Sequence, residues 1–405
     1  MKTDTVTFTG AAGHALSGRL ERPPGVPRAW AVFAHCFTCS KESAAAVRVS
    51  RALAAHGFAV LRFDFAGIGA SGGSFADTTF SSNVDDLVAA ADYLRAEHGV
   101  PAMLIGHSLG GAAVLAAAAR IPDAAAVITL GAPADVAHVE HNFAGAVAAI
   151  EAEGAADVPL GGKMFTINRA HLKDFRSQPQ AERIAGLRKA LLVLHAPADH
   201  LVSIDNATAI FVAARHPKSF VSLDDADHFL TRPEDAAYAA EVIAGWSARY
   251  LPRPDLPRHP EGAVVAEETG AGPYTNIIRS GAHILTADEP EDVGGNDAGP
   301  SPYDLLAASL AACKSMTMRM YANQKKWNVS RIAVSVKHDK VHAADCADCE
   351  TREGKIDLFQ VGLTLEGDLD AAQRAKLAEI SAKCPVHRTL SSEVKIVTAP
   401  LPGQE

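Results

Sequence analysis

Ser108 stands in the pentad Gly106-His107-Ser108-Leu109-Gly110, between the apolar run Ala102-Met103-Leu104-Ile105 and an alanine-rich helical run through Arg120. A serine hydroxyl is a poor nucleophile, and a sharp strand-to-helix turn exposes its oxygen while helix amides point at the developing oxyanion. Glycines suit so crowded a turn. A hydrolytic serine also needs a base, and the base needs an acid that fixes its tautomer and stabilises the imidazolium. Both types follow later apolar runs. Asp199 lies just beyond Leu191–Leu194, and His228 just beyond Phe220–Leu223. His195, His200 and His216 are rival bases, while Asp205 and Asp227 are weaker alternatives for the acid.

Thiols form a second group. Cys313 ends an Ala-Ala-Cys stretch in the apolar helical run that begins at Pro302, and Cys384 precedes Pro385 in Cys384-Pro385-Val386-His387-Arg388. Pro385 suits the first turn of a helix whose amides would favour a thiolate at Cys384, although packing is the plainer reading of a buried helical cysteine. Cys36 and Cys39 make a C-x-x-C pair, which in isolation suits a redox couple or half a metal site and reads more plainly as small buried side chains around the first site. His338, His342, Cys346 and Cys349 offer two imidazoles and another C-x-x-C within one short stretch. Those types suit tetrahedral zinc, but the spacing is compressed relative to known fingers, so the expectation is no metal and no cofactor.

These residues need elements to position them. From about residue 5 to 250, short β-prone runs (Trp30–Ala34, Ala59–Phe63, Ala102–Ile105, Ala126–Leu130, Leu191–Leu194, Phe220–Leu223) alternate with alanine-rich helical stretches. Continuous apolar strands separated by helices imply a mostly parallel sheet covered on both faces, an α/β domain over residues 1–250. Between Ala132 and Ala190 the pattern is less regular and suits a cap carrying Phe143, Phe165 and Phe175. A linker is expected over 251–262, where four prolines fall between Pro252 and Pro260. Residues 263–405 then read as α+β: a long helix from about Pro302 to Trp327, strands around Ile332–Lys337 and Ile356–Leu365, a helix from Asp370 to about Ala382, and a last strand near Val394–Val397.

Composition excludes several classes. The 405 residues are 48% hydrophobic and 21% charged, with a formal net charge of -9. Acidic residues are spread along the chain and no basic stripe could hold a phosphate backbone, so nucleic acid is not an expected partner. The amino terminus lacks the apolar core of a signal peptide, and no apolar run reaches eighteen residues. No membrane partner is expected, the location expected is cytoplasmic, and there the six cysteines should be reduced.

The Gly-x-Ser-x-Gly elbow followed by Asp199 and His228 resembles the α/β-hydrolase superfamily over roughly the first 250 residues. The resemblance implies a serine hydrolase of ester or thioester bonds, with the amides of Phe37 and Leu109 as the oxyanion hole. Cys36 stands where such hydrolases usually carry a glycine. The helix ending in Ala-Ala-Cys and the later Cys-Pro resemble the OsmC/Ohr family of thiol-dependent peroxidases across most of residues 262–400. That likeness implies an organic hydroperoxide substrate, Cys313 as the attacking thiolate, Cys384 as the resolving thiol, a dithiol reductant and a homodimer formed through this half. It also implies a supporting arginine, for which Arg279 is the candidate. Tyr303 occupies the place of the family's glutamate, with Asp304 the neighbouring acid. The alternative is a serine hydrolase carrying a non-catalytic OsmC-like dimerisation or binding module. The two halves together resemble bacterial hydrolase–OsmC fusions.

Overall fold

A computed structural model describes residues 2–23, 26–251, 262–270, 272–342 and 353–398. The chain divides into two compact units: one runs to Gly272 and takes in Arg279–Ile284, the other holds Pro273–Ile278 and the chain from Leu285 onward. Proline-rich residues 252–261, the body of the expected linker, lie outside the described residues.

The first unit contains β1 (Lys2–Thr9), β2 (Ala15–Arg22), β3 (Ala29–Ala34), α1 (Ala44–Ala55), β4 (Phe58–Phe63), α2 (Phe80–Glu97), β5 (Pro101–His107), α3 (Leu109–Ala117) and β6 (Ala126–Leu130). After an inserted segment come β9 (Ala190–His195), α7 (Ile204–Ala213), β10 (Lys218–Ser222) and α8 (Pro233–Ser247). The eight strands form one sheet in the order β1-β2-β4-β3-β5-β6-β9-β10. Its β1 and β2 run antiparallel, while β4-β3-β5-β6-β9-β10 are parallel throughout.

Why these runs are apolar at every position is plain from the two faces. Val32, Leu61, Leu104, Val127 and Leu191 join one buried core under α2, α3 and α7. Their neighbours Phe33, Val60, Ile105, Ile128 and Leu192 join the other, under α1 and α8. Side chains alternate across a strand, so a strand covered on both faces must be apolar at odd and even positions alike. Each such fully buried side chain contributes about 1.5–3 kcal/mol.

The inserted segment is more regular than its sequence suggests. It holds a 3₁₀ stretch (Val136–Phe143), α4 (Ala144–Glu153), the hairpin β7 (Ala155–Leu160) and β8 (Lys163–Asn168), α5 (Arg169–Arg176) and α6 (Gln180–Ala185).

In the second unit, Ser301 caps α9 (Pro302–Lys325) and Lys326 ends it in the left-handed region. The long strands β14 (Asn328–His342) and β15 (Lys355–Asp368) pair antiparallel, with Val336 opposite Val361. Then follow α10 (Ala371–Ser381) and α11 (Pro385–Leu390). Three shorter strands, β11 (Val264–Glu268), β12 (Asn276–Ser280) and β13 (His283–Ala287), precede α9. The strand expected near Val394–Val397 is not formed. Residues 393–398 hold no element, and Val394, Ile396 and Val397 are exposed. Apolar β-branched residues make a strand only where an edge is there to pair with.

Candidate active sites

The chain leaves β5 at His107 and enters α3 at Leu109, so Ser108 makes the whole turn, with φ 54° and ψ −126°. Side chains rarely adopt that region, and the surroundings must hold it. One restraint is the Ser108 N–H, which donates to Leu130 O at 2.8 Å. The flanking glycines answer to space. A Cβ on Gly106 would meet Gly110 O at 2.2 Å, and one on Gly110 would meet Ala34 O at 2.3 Å. The elbow therefore packs backbone directly on backbone.

Asp199 and His228 meet at the same end of the sheet, in the loops after β9 and β10. His228 Nδ1 lies 2.6 Å from Asp199 Oδ2, and both side chains are buried. The other carboxylate oxygen, Oδ1, accepts from the N–H groups of Leu201 and Val202, each at 2.9 Å. Burial by itself would raise the Asp199 carboxyl. The hydrogen bonds from His228, Val202 and Leu201 outweigh it and hold the carboxyl below its ordinary value. Asp199 is thus an ionised acceptor facing a histidine ring.

Ser108, His228, Phe37 and Leu109 all line one cavity of about 590 Å³. The inserted segment supplies part of its wall through His138, Val139, Pro159 and Leu160. Phe165 and Phe175 belong to an aromatic group beside it: Phe37 contacts Phe75 at 5.5 Å and Phe175 at 5.6 Å between ring centroids, and Phe75 contacts Phe165 at 4.7 Å. Phe143 is buried in the core.

The rival residues have other attachments. His195 is buried and bonded to Val202 O, while His200 and His216 are exposed. Asp205 N–H donates to Ser203 at the start of α7, and Asp227 accepts from the N–H groups of Phe229 and Thr231.

The loop after β3 corrects one expectation. Cys36 and Cys39 are not a reduced pair; a disulfide joins them, with Cα atoms 5.2 Å apart. The turn brings them together, since Cys39 N–H donates to Cys36 O at 3.3 Å. Both cysteines line the cavity and bracket Phe37. Below this loop lies a charged network that an apolar strand conceals. Arg62 of β4 is buried, 2.8 Å from Glu21, 3.1 Å from Glu42 and hydrogen-bonded to Lys41 O. Lys41 in turn pairs with buried Asp64, whose Oδ1 accepts the Lys41 N–H at 2.7 Å.

In the second unit, α9 and α11 bring Cys313 and Cys384 together. Both are free thiols, Cys384 is fully buried, and Cys313 is within hydrogen-bonding reach of it. Burial pushes the Cys384 thiol up; the His387 N–H, 3.3 Å from its sulfur, and the Lys314 ammonium oppose that rise. Lys314 passes unnoticed in sequence because a helical lysine is ordinarily solvated. Here it is buried, donating to Ser381 O at 3.1 Å and lying 3.3 Å from His387 Nδ1.

The supporting candidates have contacts of their own. Arg279 pairs with Glu267 at 3.1 Å and belongs to the first unit, whereas both thiols belong to the second. Asp304 accepts from Ser301 Oγ at 2.7 Å in the cap of α9, and the Tyr303 ring stacks on His338 at 4.2 Å. His338 also contacts Asp357 at 2.8 Å, and His342 ends β14. Cys346 and Cys349 lie outside the described residues, and among those described no group of three His, Cys, Asp or Glu could hold a metal ion. No described helix is long and apolar enough to cross a membrane.

A mostly parallel eight-stranded sheet with a serine at a strand-to-helix elbow defines an α/β-hydrolase fold. A family model for serine aminopeptidase, S33 matches residues 25–182, and one for OsmC-like protein matches residues 294–399. No curated protein matches the chain. Among solved structures, the esterase domain of a Rhodothermus marinus protein is 44% identical, covering 62% of this chain and 99% of that one, with a TM-score of 0.51. Est1E from Butyrivibrio proteoclasticus is 18% identical over 61% of this chain and 98% of its own, TM-score 0.51. The α/β hydrolase GrgF from Penicillium sp. sh18 is 18% identical over 62% and 99%, TM-score 0.52. At that identity these two speak for the fold alone. The chain belongs to the α/β-hydrolase family and fuses that domain to an OsmC-like one.

Proposed function

We propose that residues 1–250 form a serine hydrolase of carboxylic esters or thioesters. The observation that carries this is the 2.6 Å contact of Asp199 with His228, which lines the same cavity as Ser108. His228 takes the Ser108 hydroxyl proton as the oxygen attacks the acyl carbon, and Asp199 holds the ring and stabilises the imidazolium. The amides of Phe37 and Leu109 receive the oxyanion; Leu109 is the first residue of α3, where a backbone N–H has no helical partner. His228 returns its proton to the leaving alcohol or thiol, and water then releases the acid. The esterase relative at 44% identity favours an ester over the peptide suggested by the family model's description.

For residues 263–405 the same proposal assigns reduction of organic hydroperoxides. The Cys313 thiolate attacks the O–O bond, becomes a sulfenic acid and releases the alkoxide, which is protonated to the alcohol. The Cys384 thiol then displaces water to form a disulfide, and an external dithiol restores both thiols. A raised Cys384 suits a resolving thiol, which need not be ionised before the sulfenic acid forms. Two copies join through this half, and the location is cytoplasmic.

A fluorophosphonate probe and a series of p-nitrophenyl esters test the first assignment: labelling should fall on Ser108, and Ser108→Ala should abolish both labelling and turnover. Labelling elsewhere, or none, removes it. Peroxide-dependent oxidation of a dithiol, compared between wild type and Cys313→Ser, tests the second. Equal rates would leave only the alternative, a non-catalytic module.

A further inference from the structure

Two buried histidines that the triad does not use stand at the carboxyl ends of two strands of the sheet, β5 and β9, with β6 between them. His107 is the last residue of β5 and His195 the last of β9, each no more than 1% exposed. Each points Nε2 at a backbone carbonyl. His107 Nε2 is 2.6 Å from His228 O, and His195 Nε2 is 2.7 Å from Val202 O. A carbonyl oxygen only accepts, so Nε2 carries the hydrogen in both rings. Both Nδ1 atoms are buried without a hydrogen-bond partner, as fits the bare nitrogen of a neutral imidazole.

The consequence is geometric. His107 immediately precedes Ser108, so one hydrogen bond and one peptide unit connect the nucleophile's backbone to that of the base. His195 grips the short loop whose Leu201 and Val202 amides bond Asp199. We infer that His107 and His195 are positioning residues: neutral Nε2–H donors that lock the base and acid loops to the strands of the hydrolase site. This rests on the Ser108–His228–Asp199 reading. Triad chemistry depends on sub-ångström placement, and a drift of 1 Å can cost on the order of 100-fold in rate.

The test uses the full chain and p-nitrophenyl acetate. His107→Leu should lower kcat about 100-fold with KM nearly unchanged, the cost expected of misplacement alone. His107→Gln, whose side-chain amide can put an N–H where Nε2–H stood, should recover most of that loss. Leu at the wild-type kcat, or Gln as slow as Leu, overturns the inference. His228→Ala is run alongside, since its full activity would signal failure of the triad reading rather than of the positioning role. Should His107→Leu not fold, ¹⁵N spectra of histidine-labelled wild type decide: two Nε2–H tautomers persisting from pH 7 to pH 5 support the inference, while an Nδ1–H form at either residue overturns it.

Discussion

The two units bury themselves very differently. In the first, two extensive apolar layers enclose both faces of the sheet, and the Ser108 cavity is walled by residues of that same unit. In the second, the buried apolar cluster among the described residues comprises Met318, Ala322, Val329 and Leu377. Met316, Met320 and Val361 are left exposed, at 65%, 72% and 38%. A hydrolase site set in a closed core can be complete within one chain. Cys313 and Cys384 belong to this second unit, through which the proposed dimer would form.

The contrast can be broken most sharply at Asp199. Asp199→Asn should reduce ester turnover about 10⁴-fold, because the ring then loses the acceptor that sets its tautomer. Peroxide-dependent dithiol oxidation should be unaffected; a parallel fall in both would mean the two units do not work independently. Next comes Arg62→Leu, which leaves buried Glu21 with only the Thr3 hydroxyl and the more distant, solvent-exposed Arg51, 3.7 Å away. Unfolding in urea should show the first unit losing about 3–5 kcal/mol, the cost of breaking a buried pair from one side. A loss under about 1 kcal/mol would show that the network beneath the Cys36–Cys39 loop is dispensable.

Acid should sharpen the difference further. Burial, with the neighbouring His228 charge, pushes His107 down to about 3. The unfolded chain binds a proton at this residue below about pH 6.5, whereas the folded one does not, so stability present above pH 6.5 falls as pH drops toward 3. From that residue alone the loss by pH 5 is about 2 kcal/mol, to be read from melting curves between pH 7.5 and 5. A flat profile would refute the burial argument. The smallest effect belongs to the disulfide: replacing Cys36 and Cys39 together by alanine should slow ester turnover a few-fold, about 1 kcal/mol, by loosening the loop that presents Phe37. Unchanged turnover would show that the loop is held by Arg62 and Asp64 alone.

Much of the first unit is legible in the chain because strands covered on both faces write themselves as unbroken apolar runs, and the candidate residues follow directly after them. Asp199 and His228 are 29 positions apart, yet each is simply a carboxylate or imidazole in the loop after its strand. What stays hidden is made by tertiary contact. Arg62 sits inside an apolar run with no local sign of its partners Glu21 and Glu42. Lys314 reads as a solvated helical lysine until α10 and α11 fold over it. The disulfide depends on how sharply residues 36–39 turn, which composition does not encode. Val394–Val397 show the reverse, a strand-like composition without an edge to join.

The Cys36–Cys39 bridge has a practical side. Any dithiol supplied as electron donor to Cys313 and Cys384 is, by the same chemistry, a reductant for a bond that lines the ester-binding cavity. An assay of the proposed peroxidase would therefore expose the wall of the ester cavity to the same reagent. Kinetic comparison of the two centres calls for separate buffers and a thiol titration of the protein before each run.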